Sequence, residues 1–138
     1  MQEAQEVKDI REAFLNSTTF AVAGASTQRE KYGNIIYRAL RDSGRNVYPI
    51  NPRAEEVEGQ VAYPDLLSLP VVPQAVSIVT PPEVTRDVVK QAIAIGVKTV
   101  WMQPGAQDRQ ASEAARKAGL EVIDDGSCIL VLLSRMQP

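Results

Sequence analysis

Apolar positions along this chain recur in two rhythms, one of short unbroken runs and one at helical spacing, and the two alternate. Residues 5–15 carry Val7, Ile10 and Phe14 at helical spacing, so an amphipathic helix is predicted in the N-terminal segment 1–16, closed by Asn16-Ser17. Thr19–Ala23 follows as a short buried strand that runs directly into Gly24. Ile35, Ile36, Ala39 and Leu40 share one helical face, and Gly44 stands where a helix-ending glycine belongs. Val47–Ile50 is a second predicted strand; Pro49 removes a ladder donor, so a bulge or an irregular end is expected there. Pro52, Pro64, Pro70 and Pro73 break up the stretch 51–74, which reads as loop with a turn at Gly59 and a short helix over 65–69. Ala75–Val79 is a third strand. Pro82 opens a helix with Val84, Val88, Val89, Ala92 and Ile93 on one face and Gly96 as its stop. Lys98–Met102 is a fourth strand, and Asp108 can cap a helix carrying Ala111, Ala114, Ala115 and Ala118 that ends at Gly119. Leu120–Ile123 is a fifth strand, and Ile129–Leu133 adds a last apolar run.

Strand and helix thus alternate along the chain. That order predicts an α/β fold: a Rossmann-like, doubly wound, mainly parallel sheet of five to six strands, with helices on both faces. At 138 residues, 1–138 is expected to form one domain with a core of its own. In such sheets a ligand sits outside the carboxyl ends of the strands, where strand order reverses. The tips to inspect are 24–33, 51–54, 80–83 and 103–106.

Charge and composition narrow the chemistry. Lys and Arg number 15 against 17 Asp and Glu, a net charge of −2, so no broad positive field draws in nucleic acid and any anion must be held locally. The chain has no histidine, which removes imidazole metal sites, Ser-His-Asp triads, Cys-His pairs and phosphohistidine relays together. Cys128 is the only cysteine, which excludes an internal disulfide and fits a reducing compartment. The N-terminus has charges throughout and no apolar run, and nothing reaches the apolar length of a membrane span; a soluble, cytoplasmic protein is expected. Glu55, Glu56 and Glu58 read as a solvated charge run, not a metal cluster, and Asp124 and Asp125 as turn-formers around Gly126. Cys128 is expected to be structural; a mixed disulfide with a ligand thiol would require an exposed thiolate.

The first strand tip carries the candidate chemistry. Gly24, directly after a buried strand, lets the backbone approach a diphosphate, and the next helix, starting near Tyr32 or Gly33, supplies free N–H groups and the positive end of its dipole. Ala25 and Ser26 continue the loop, Ser26 with a hydroxyl, and Arg29 and Lys31 add charge. Neither G-x-G-x-x-G nor G-x-x-x-x-G-K-[ST] occurs. Where an NAD site places a carboxylate for the ribose diol, the second strand ends Ile50-Asn51-Pro52-Arg53. An arginine there favours a phosphorylated ribose, which leaves NADP or coenzyme A.

Several segments, taken in order, resemble the small, stand-alone CoA-binding proteins. They are Ala21–Ser26, Lys31–Asn34, Val47–Pro52, Val57-Glu58-Gly59 with Tyr63–Leu66, Pro81–Val84 and Gly96–Gly105. That family is similar to the N-terminal CoA-binding domain of the succinyl-CoA synthetase α-subunit and of ADP-forming acyl-CoA synthetases. The resemblance spans roughly residues 17–128 and implies coenzyme A as the ligand. It further implies that Gly24, Ala25 and Ser26 face the diphosphate and that Asn51, Pro52 and Arg53 lie near the adenosine and its phosphorylated ribose. Thr80, Pro81 and Pro82 would form an apolar wall, and Gln103 would sit on the pantetheine path. Trp101, between Val100 and Met102, is expected in the core. Relatives often finish with a basic residue beside the matching cysteine; here the run is Asp124-Asp125-Gly126-Ser127-Cys128, so any basic contribution from that segment is absent.

The leading expectation is a module that binds CoA or an acyl-CoA without catalysis of its own; ligase chemistry through phosphohistidine is excluded by the missing histidine. An NADP-dependent oxidoreductase-like domain is a second reading, weakened by the lack of a tyrosine–lysine pair at catalytic spacing. A structural or interaction protein that has lost its ligand is a third, with Ile129–Leu133 as an oligomer surface. A homodimer is compatible with all three.

Overall fold

In the computed structural model, which describes residues 10–136, the short apolar runs lie side by side as parallel strands. Strands β1 (Thr19–Ala23), β2 (Asn46–Ile50), β5 (Ala75–Ile78), β6 (Thr99–Met102) and β7 (Glu121–Ile123) form a five-stranded sheet in the order β2-β1-β5-β6-β7. The order reverses between β1 and β5, which places the switch point at the tips of those two strands. Strands β3 (Glu56–Val57) and β4 (Gln60–Val61) make a separate antiparallel hairpin inside the proline-broken stretch. Its two-residue turn is Glu58-Gly59, both at positive φ (52° and 79°), as a tight hairpin with the twist of its strands requires.

Helix α1 occupies 10–15, and the part of the N-terminal helix predicted before it lies outside the described residues. Helices α2 (Tyr32–Asp42), α3 (Pro82–Ile95), α4 (Arg109–Lys117) and α5 (Ile129–Met136) follow, with a 3-10 turn at Leu66–Ser68 where a short helix was expected. Side chains alternate across each strand, so the two faces carry separate cores. Phe20, Val22, Trp101 and Ile123 pack with Phe14, Ile36, Leu40, Ile129 and Leu133 beneath α1, α2 and α5. Ala21, Ala23, Val76, Ile78, Val100 and Met102 pack with Val89, Ala92, Ala111 and Ala115 of α3 and α4. Trp101 is fully buried, meets Phe14 edge-on at 5.3 Å and donates its indole N–H to the Ser127 carbonyl at 3.1 Å.

Two expectations are settled here: the strand count, within its range of five to six, and the course of the chain at Pro49, which differs from the expected irregularity. The run 129–133 is helical: Ile129 and Leu133, one turn apart, are buried while Val131 between them is 49% exposed, a one-faced pattern that covers the Phe14–Trp101 side. The sheet therefore stops at five strands. At Pro49 the strand stays regular, in register with Val22. β2 is an edge strand, and the Pro49 carbonyl accepts from Tyr63 N–H on the outer side, so the missing donor also faces outward and costs the ladder nothing.

Candidate functional site

At the switch point a cleft of about 560 Å³ opens, lined by Gly24, Ser26–Gln28, Lys31–Gly33, Asn51, Arg53, Ala54 and Val79. Close backbone contact builds it. Gly24 sits at φ +92°, and a Cβ there would lie 2.0 Å from the Val79 carbonyl oxygen; a Cβ on Gly33 would lie 1.9 Å from the Gly24 carbonyl oxygen. The two glycines let the first turn of α2 press directly onto the end of β1, with β5 alongside.

Two asparagines then set the direction of the loop. Asn51 Nδ2 donates to the Ala25 carbonyl at 2.9 Å, and Asn34 Nδ2 donates to the Ser26 carbonyl at 2.8 Å. In a trans peptide the carbonyl and the following N–H point opposite ways. With the carbonyls of Ala25 and Ser26 held by the two asparagines, the amides of Ser26 and Thr27, residues that both line the cleft, point away from those side chains. The first turn of α2 adds the amides of Tyr32 and Gly33, which have no acceptor within the helix. The Ser26 hydroxyl accepts from Gln28 N–H at 3.0 Å and keeps its own proton to donate. Lys31 and Arg53 line the same cleft, and among the described lining residues there is no carboxylate. Asn51 Oδ1 also accepts from Arg53 N–H at 2.8 Å, which fixes the backbone under that cation. A chain of net charge −2 thus gathers two cations, and no carboxylate among the described residues, around one cleft.

The other residues nominated from sequence are not among those that line this cleft. Ala25 is buried and contributes its carbonyl to Asn51. Pro52 is exposed beside Arg53. Arg29 turns away, its Nε 3.4 Å from a Glu58 carboxylate oxygen. Thr80 packs its methyl near Gly24, and its hydroxyl pairs with that of Thr85 at 2.8 Å. Pro81 and Pro82 are exposed at the start of α3. Gln103 is fully buried at the tip of β6; its Oε1 accepts from Ile129 N–H at 2.9 Å, and its Nε2 has no partner.

Glu58 corrects the reading of a solvated charge run. Its side chain is 16% exposed, and its carboxylate receives Asn34 Nδ2 at 3.2 Å as well as Arg29, with Arg41 at 4.0 Å. The Glu58-Gly59 turn between Val57 and Gln60 was the sequence signal that the residue would be held in place. Tyr32 was also missed as a candidate: it lines the cleft, and its hydroxyl makes a hydrogen bond with Cys128 Sγ. Burial first, and the contact with Cys128 second, push the Tyr32 hydroxyl well above the ordinary phenol range. No group of three or more His, Cys, Asp or Glu that could hold a metal occurs among the described residues, and no described helix is long and apolar enough to cross a membrane.

A family described as "CoA binding domain" matches residues 18–134. The acetate–CoA ligase (ADP-forming) I of Archaeoglobus fulgidus is 29% identical over 113 residues, which cover 75% of this chain but 16% of the ligase. The uncharacterized protein YneT of Bacillus subtilis is 25% identical over 123 residues, 89% of this chain and 90% of that one. Among solved structures, a hypothetical protein from Pyrococcus horikoshii OT3 superposes with a TM-score of 0.88 at 36% identity, covering 94% of this chain and 91% of that one.

Proposed function

The chain belongs to the CoA-binding domain family, and on that premise we propose that it binds coenzyme A or an acyl-CoA as a stand-alone, single-domain module with no catalysis of its own. The observation that carries the reading is the loop of Gly24, Ala25 and Ser26, braced by Asn34 and Asn51 beside a cleft lined by Lys31 and Arg53. This is the equipment for a diphosphate beside a further phosphate. In this assignment the loop and Lys31 take the diphosphate, and Asn51, Pro52 and Arg53 border the adenosine and its ribose phosphate. Thr80, Pro81 and Pro82 wall the route past β5. Gln103 offers its unpartnered Nε2 to a pantetheine carbonyl. Arg29, now paired with Glu58, is a rim cation.

Stand-alone action draws support from YneT, which matches over 90% of its own length. A sequence without histidine has no residue for phosphohistidine-type ligase chemistry.

A thermal-shift and calorimetry panel of CoA, acetyl-CoA, dephospho-CoA, NADPH, NAD and ATP tests the reading. CoA at ~100 times its dissociation constant should stabilise the fold by about 2.7 kcal/mol. Arg53→Ala should weaken CoA more than dephospho-CoA, because only CoA carries the ribose phosphate. Stabilisation by NADPH but not CoA would overturn the proposal in favour of an NADP site, and equal losses for CoA and dephospho-CoA would remove the role given to Arg53.

A further inference from the structure

We propose that Cys128 covalently captures the thiol end of coenzyme A by exchange with a CoA disulfide, an inference that rests on the CoA reading above. Three independent placements support it. Tyr32 forms part of the wall of the phosphate cleft, and its hydroxyl makes a hydrogen bond with Cys128 Sγ across 96 residues of sequence, so the thiol stands at the margin of the ligand site. Cys128 is half-buried and also lines a second cleft of about 270 Å³, together with Trp101, Ser127 and Val131.

The third placement is that of Gln103. Its carboxamide is completely buried and holds the N–H of Ile129, the residue after the cysteine, while its Nε2 is left without an acceptor. A buried amide donor without a partner is uncommon in folded proteins, and an acceptor brought to it would satisfy it. The pantetheine arm of CoA carries amide carbonyls short of its thiol. An arm that leaves the Gly24 loop, crosses the tip of β5 at Thr80 and gives a carbonyl to Gln103 at the tip of β6 brings its sulfur beside Cys128.

The exchange balances with the CoA disulfide as its oxidant: Cys128 is oxidised and one CoA is reduced to its thiol. Cys128 gives up its proton and, as thiolate, attacks one sulfur of the CoA disulfide. The sulfur–sulfur bond of that dimer breaks, a new one forms between Cys128 and the bound CoA, and the second CoA leaves as thiolate and takes up a proton. Tyr32, kept as a phenol by its burial, can donate its O–H to the cysteine sulfur throughout. A nucleotide anchored in the cleft raises the local concentration of its disulfide at Cys128, so capture should select CoA over small disulfides.

The test mixes the reduced full chain with CoA disulfide or with glutathione disulfide at equal concentration, and follows adducts by intact-mass spectrometry and peptide mapping. The expected result is one CoA per chain on Cys128, formed at least tenfold faster than the glutathione adduct, slowed by excess desulfo-CoA and reversed by dithiothreitol. Cys128→Ser should form no adduct yet bind desulfo-CoA in calorimetry with the affinity of the parent chain. Equal rates for the two disulfides, or an adduct insensitive to desulfo-CoA, overturn capture while leaving the CoA reading intact. Failure of the parent chain to bind desulfo-CoA overturns the CoA reading, and capture falls with it.

Discussion

A single methyl group at Gly33 would lie 1.9 Å from the carbonyl oxygen of Gly24, nearer than any side chain can settle against backbone. Gly33→Ala must push α2 off the end of β1 or bend the loop between them. We expect a loss of about 1–3 kcal/mol in denaturant unfolding, the usual range for overpacking. The larger effect should be on ligand, because the displaced turn carries the amides of Tyr32 and Gly33. CoA affinity measured by calorimetry should fall by more than tenfold, and an unchanged affinity would detach the α2 turn from the site. Residue-scale reading of the sequence reached Gly24 through its place after a buried strand, and reached Lys31 and Arg53 through their charge. It missed Glu58 because its partners Asn34, Arg29 and Arg41 lie elsewhere in the chain and only the fold joins them.

Elements were legible where local chemistry and tertiary demand agreed. Gly96 sits at φ +85° as the cap of α3, and Asp108 accepts from Ala111 N–H at 2.9 Å as the cap of α4, both as their sequence context implied. The run 129–133 was ambiguous because five successive apolar residues suit a buried strand or a helix equally until something shows which face is covered. The cap at Asp108 also carries a pH dependence. Its hydrogen bonds with Arg86 foremost, and then the Ala111 amide, hold its carboxyl below the ordinary aspartate value. A folded-state pKa depressed in this way contributes stability above the unfolded value and loses it as pH falls through the folded one. Melting temperature followed from neutrality down through the carboxylate range should therefore drop less steeply in Asp108→Asn, which keeps a capping side chain but cannot titrate. Parallel curves for the two proteins would show that this carboxylate has no part in acid sensitivity.

At the scale of the whole molecule the strand order sets where chemistry can gather. Parallel strands send the tips of β1, β2, β5 and β6 to one end, and the switch between β1 and β5 parts the loops there, so residues 24, 53, 80 and 103 were recognisable as lying at one end of the sheet. The pairing of Tyr32 with Cys128 was not, since it depends on α5 folding back across the face that α2 covers. Charge follows the same geometry. The chain as a whole repels anions weakly at a net charge of −2, while Lys31 and Arg53 attract them at short range. Both cations are exposed, so added salt should screen them. CoA affinity should fall severalfold between about 0.05 and 0.5 M monovalent salt, with adenosine binding far less affected; salt-independent CoA binding would point to contacts other than these two cations.

The outer margin of β2 bears on how copies of this protein can meet. A second molecule seeking to extend the sheet there would find a proline ring where an amide hydrogen is needed, and Tyr63 already bonded to the carbonyl beside it. Ribbon-to-ribbon growth, the route to fibrils and exchanged strands, is refused on that flank. Self-assembly on that side must then proceed through side-chain surfaces, where it can be tuned by substitution without touching the backbone of the sheet.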